Sequence, residues 1–116
     1  MSRVDYDGRT FRPVETAANG EVGDGTVFHY RQRGDVVCAS YHGGGVERGT
    51  LVATVGDDGV LDMRYAHVSL SGELMTGICQ STPEVLPGGG RLRLHERWQW
   101  TSGDRSAGTS VIEEVP

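Results

Sequence analysis

Residues 92–104 read LRLHERWQWTSGD, and a carboxylate stands there where an apolar side chain belongs. Leu92, Leu94, Trp98 and Trp100 alternate with polar residues, the two-residue period of a strand with one dry face. Glu96 lies in the middle of that same face. An unpaired carboxylate in an apolar interior costs on the order of several kcal/mol, so Glu96 must be paired, protonated or exposed. Paired with an interior arginine, or placed at a frayed rim, it is structural. Set in a pocket, it is a ligand anchor or a general acid/base, because a raised carboxyl pKa suits proton transfer near neutral pH.

Other polar groups share its phase. Met63, Tyr65 and His67 fall on one face of a strand with Leu61, and Tyr30 and Tyr41 share the face of Phe28 and Val37. With Trp98 and Trp100 they are either core residues with satisfied polar tips or the walls and donors of a ligand pocket. His95 adjoins Glu96, but strand geometry throws it to the opposite side, among Arg91, Arg93 and Arg97, which read as a solvated face. His29 is outward by the same alternation.

Metal and cofactor chemistry find no support. The histidines at 29, 42, 67 and 95 form no close pair in sequence, and no Cys-x-x-Cys occurs. HGGG at 42–45 lacks the Gly-x-Ser-x-Gly partner of an esterase oxyanion loop, and LPGGG at 86–90 lacks the Lys-Ser/Thr of a phosphate cradle. Both read as turns. Arg33-Gly34-Asp35 reads as hairpin chemistry, not an adhesion signal.

The elements that must position these residues are strands. At 116 residues the chain is expected to be one domain, residues 1–116, with a single core. Its 18 glycines mostly fall between short alternating segments, the punctuation of an all-β protein. Strands are expected over Val4–Pro13 (folded at Asp7-Gly8), Thr26–Gln32, Asp35–Tyr41, Gly49–Gly56, Val60–Ser69, Leu74–Ser81, Arg91–Thr101 and Thr109–Val115. The polar segment 14–25 is a crossing, with one candidate helical turn.

Turn chemistry sets the expected registers. A three-residue loop, Asp57-Asp58-Gly59, places Val55 opposite Leu61, Ala53 opposite Met63 and Leu51 opposite Tyr65, apolar against apolar. A two-residue turn at Arg33-Gly34 places Tyr30 opposite Val37 and Phe28 opposite Ala39. For the last hairpin two registers stay open. One puts Trp98 opposite Ile112 and Glu96 opposite Glu114; the other turns Val111, Glu113 and Val115 inward. Eight antiparallel strands hide their edges best by closing into an up-and-down barrel, last strand against first. A bent open sheet or β-sandwich is the alternative.

Composition excludes some partners. The net charge is −5, with 16 acidic residues against 11 basic and no basic run, which argues against nucleic acid and anionic membrane. No apolar stretch serves as a signal sequence or spans a membrane. Cys38 and Cys79 fall on separate, non-neighbouring strands and read as reduced thiols of a cytoplasmic protein.

The run SGELMTGICQSTPEVLPGGGRLRLHERWQWTSGD, with GRTFRPVETAANGE before it and SVIEE after it, resembles a group of small bacterial proteins often labelled N-acetylglutamate synthase. That resemblance implies a widespread soluble bacterial domain, and its barrel is similar to the lipocalin and avidin-like group. Acetyl-CoA enzymes carry an Arg/Gln-x-x-Gly-x-Gly/Ala loop before a helix. The nearest runs here, residues 31–36 and 105–110, lack the final Gly or Ala, so no catalytic residue carries over. The leading expectation is a barrel that binds an apolar or aromatic small molecule, walled by Trp98 and Trp100 and anchored by Glu96. The alternatives are an isomerase, cyclase or lyase using Glu96 as acid/base, and an assembly protein with a filled core. A homodimer through the outer face or a rim is compatible with each.

Overall fold

The computed structural model describes residues 4–15 and 25–116. Eight strands follow one another: β1 (Thr10–Glu15), β2 (Val27–Arg33), β3 (Val36–Gly43), β4 (Val46–Val55), β5 (Leu61–Ser69), β6 (Leu74–Val85), β7 (Leu92–Trp100) and β8 (Ala107–Glu114). Each pairs antiparallel with the next, and β8 pairs with β1, so the sheet is a closed up-and-down barrel. The candidate helical turn within residues 14–25 falls largely outside the described residues. No helix among the described residues is long and apolar enough to cross a membrane.

Alternation decides what faces the lumen. In β4, Leu51, Ala53 and Val55 are buried while Val52 and Thr54 are exposed; in β3, Val37, Ala39 and Tyr41 are buried while Cys38 and Ser40 are exposed. The β4–β5 hairpin has the expected register, Val55 to Leu61, Ala53 to Met63 and Leu51 to Tyr65, with Gly59 left-handed at φ 83°. Gly59 takes that backbone at no steric cost.

Two hairpins differ from expectation. The β2–β3 turn is Gly34-Asp35, not Arg33-Gly34, so Tyr30 faces Ala39 and Phe28 faces Tyr41. Gly34, at φ 60°, takes the first central place of the turn, which a positive φ reserves for glycine. The last hairpin adopts neither open register. Leu94 lies opposite Ile112, Glu96 opposite Ser110 and Trp98 opposite Gly108. Its turn is closed by Trp100 N–H donating to the Ser106 carbonyl, with Gly103 and Arg105 both left-handed, so β8 starts at Ala107. The β2–β3 slip is even-numbered, as is the slip of the last hairpin from the register that set Trp98 opposite Ile112, so side chains keep their faces. The register with Val111, Glu113 and Val115 inward is overturned, since Ile112 and Ser110 are the buried residues.

One end of the barrel is packed solid. Tyr6, Phe11, Val37, Leu61, Leu92, Leu94 and Ile112 have essentially no exposed surface there. Tyr6 is the stopper: its hydroxyl donates to the Gly59 carbonyl at 2.5 Å, and its N–H donates to Gln32 Oε1 at 2.8 Å. Outside the same end, Arg9 pairs with Glu114 at 2.6 Å and Arg93 with Glu113 at 2.8 Å. Arg93 therefore ties β7 to β8 on the face expected to be merely solvated.

Candidate ligand site in the barrel interior

Midway along β7, strand pairing sets Glu96 between Ser81 of β6 and Ser110 of β8. Ser110 Oγ donates to Glu96 Oε1 at 3.2 Å. The Tyr30 hydroxyl is buried and makes no hydrogen bond among the described residues; Ser81 Oγ is buried too, near enough to act on Glu96 but without a well-formed hydrogen bond. Glu96 makes no ion pair among the described residues, and no arginine is among the described buried side chains. The chain has 11 arginines and no lysine. The interior arginine expected to balance Glu96 is therefore missing, because the described arginines project to the outside or the rim.

Burial pushes the Glu96 carboxyl up from 4.5 to about 7, against the opposing pull of the Ser110 and Ser81 hydroxyls. Its charge in turn reaches the neighbours. Burial first, then Glu96, raises the Tyr30 phenol. Burial, then Cys79, then Glu96 raises Tyr65. Burial and then Glu96 hold the Cys79 thiol far above its usual range, so Cys79 is a small, inert, protonated wall group and not a nucleophile. Cys38 is exposed on the outer face, and the two thiols are free.

Beyond this polar waist lies an aromatic belt. Tyr65 and Trp100 meet edge to face at 5.6 Å, His67 and Trp100 at 5.5 Å, and Trp98 and Trp100 lie 5.7 Å apart. His67 Nδ1 and the Tyr41 hydroxyl share a 2.9 Å hydrogen bond, and Tyr41 stacks on Phe28. Two strand glycines make room for the rings. A Cβ on Gly77 would run into the Tyr65 ring, and one on Gly49 into Tyr41 and His67.

Each residue singled out in the sequence for this interior thus faces it: Glu96, Trp98, Trp100, Tyr65, His67, Tyr30, Tyr41 and Met63. They differ in access. Met63, Tyr30, Tyr41, His67 and Trp100 are buried, whereas Tyr65, Glu96 and Trp98 face inward yet keep accessible surface. Glu96 is hemmed in by protein on every side while remaining partly reachable. Sequence reasoning missed Ser81, Ser110, Cys79, Gly77 and Gly49. Ser81 and Ser110 carry no signal of their own; only the correct β7–β8 register would have found Ser110. His29 and His95 are exposed as expected, but His29 stacks on His42 at 6.1 Å, a pair formed across the sheet and invisible in sequence spacing. No group of three or more metal-ligating side chains occurs among the described residues.

A closed eight-stranded meander around a polar waist and an aromatic belt defines a small barrel of the calycin kind. The family model described as avidin-like protein matches residues 4–115, and the chain belongs to that family. Comparison with curated proteins and with solved structures found no match.

Proposed function

We propose that this protein binds a small molecule inside its barrel, against Glu96 and beside Trp98, Trp100 and Tyr65. The observation that carries the reading is the buried Tyr30 hydroxyl that no described residue satisfies, near a carboxyl with no ion pair among these residues. Buried polar groups in folded proteins are hydrogen-bonded almost without exception, so such an orphan calls for an outside partner. The avidin-like barrel is compatible with this, since an eight-stranded interior is either filled by side chains or holds one small ligand. Tyr41 and His67 are bonded to each other and shape the belt, and Met63 packs behind it.

The test is a metabolite screen read by thermal shift and by tryptophan fluorescence. A ligand raises the melting temperature and perturbs the fluorescence, and Trp98→Ala weakens both responses. A broad screen in which neither signal moves, on folded protein, removes the reading. One observation favours a second reading, proton-transfer catalysis in the same lumen: a carboxyl poised at about 7 is matched to acid/base work near neutral pH. Glu96→Gln would then abolish turnover while leaving ligand binding; an activity that survives Glu96→Gln sinks it.

A further inference from the structure

We infer that the ligand is an organic cation, an ammonium or guanidinium on a small apolar or aromatic body, with Glu96 as its counter-charge and the Trp98, Trp100 and Tyr65 rings as the wall around it. The inference rests on the binding reading above and deepens it.

Charge balance is the first argument. The titratable groups that join Glu96 in the lumen are Tyr30 from β2, Tyr41 from β3, Tyr65 and His67 from β5, and Cys79 from β6, with Tyr6 beyond Tyr30. β1, β4 and β8 place no titratable side chain beside Glu96 among the described buried positions. The phenols and the thiol are neutral in the physiological range, so none of them can balance a carboxylate. His67, the one basic group, is engaged with Tyr41 and is not among the groups that act on Glu96. The site therefore holds one carboxyl and, His67 apart, no basic group among the described residues. An anionic ligand meets repulsion, a neutral one leaves the carboxyl protonated, and a cation supplies what is missing.

The wall is the second argument. Indole and phenol faces carry negative quadrupole density and attract a desolvated cation within about 6 Å of the ring centre. Three such rings stand 5.6 to 5.7 Å apart along the Tyr65–Trp100–Trp98 chain, and two of them remain accessible. The Tyr30 hydroxyl oxygen, without a partner among the described residues, can accept an N–H bond from an ammonium. The net charge of −5 concentrates cations near the barrel as a whole.

The experiment compares benzylammonium, benzyl alcohol and benzoate by calorimetry on the whole chain. The three share a ring and differ in charge. The expected order is cation, then neutral, then anion, with benzylammonium at least about tenfold tighter than benzyl alcohol at pH 8, a difference of about 1.4 kcal/mol. Benzylammonium affinity should rise with pH from 5 to about 7 and then level off, with proton release on binding at pH 6, because ionised Glu96 is the binding form. Glu96→Gln should erase the preference for benzylammonium over benzyl alcohol. Benzyl alcohol binding as tightly as benzylammonium, or a cation affinity flat with pH, overturns the cation inference and leaves the binding reading standing. No saturable binding of any of the three overturns the cation inference, and the binding reading is then decided by the metabolite screen. Should Glu96→Gln fail to fold, the pH profile and proton release of the native protein still decide.

Discussion

Tyr30 sets stability against function within a single side chain. Its hydroxyl is buried without a partner, so Tyr30→Phe removes an unsatisfied group while keeping the ring contact with Phe11 at 4.7 Å. The ligand-free protein should become more stable by about 1 kcal/mol, read from the urea midpoint, while ligand affinity falls. Unchanged affinity would place the ligand elsewhere. Glu96 gives the second residue-scale prediction. Its folded pKa lies above its unfolded one, so the folded state binds the extra proton between 4.5 and about 7. Stability is therefore full below pH 4.5 and declines as pH rises through about 7, by on the order of 3 kcal/mol in all. Thermal melts between pH 5 and 8 should show that decline, and Glu96→Gln should flatten it; a slope that persists in the variant would assign it to another group. Glu96 itself was legible in the sequence, because a carboxylate out of phase with its strand stands out. Tyr30 was not legible as an orphan, since being unpartnered is a property of the neighbours and not of the residue.

At the level of strands, faces were readable and partners less so. Period-two alternation assigned the inward faces of β2 to β5 and of β7 correctly and left that of β8 open, and the β4–β5 register followed from one glycine and three apolar pairs. The β2–β3 and β7–β8 registers were misread because their turns allow several closures that keep apolar against apolar. β6 also runs four residues past its expected end at Ser81, pairing Pro83 with Leu94 and Val85 with Leu92. Gly77 belongs to this scale, since β6 gives up a side chain so that a β5 ring can cross it. Gly77→Ala should cost about 1–3 kcal/mol by displacing the Tyr65 ring. Adding Tyr65→Ala should recover much of that loss in a double-mutant cycle. Strict additivity of the two would mean that the ring does not need the glycine.

Across the whole molecule, closure of β8 on β1 leaves no open sheet edge, and the interior divides into a dry end, a polar waist and an aromatic belt. Tyr6 completes the dry end from ahead of β1: the expected strand Val4–Pro13 included it, whereas β1 begins only at Thr10, and no inward role was read for it. Tyr6→Phe should lose about 1–3 kcal/mol, because a buried Gly59 carbonyl is left without its donor, with the urea dependence otherwise unchanged. A midpoint equal to the native one would make the tether dispensable. The solid end also governs exchange. A guest seated at the waist cannot be pushed out from behind, so a rival has to wait for the resident to depart by the way it arrived. Replacement should thus proceed at one fixed rate however much rival is added.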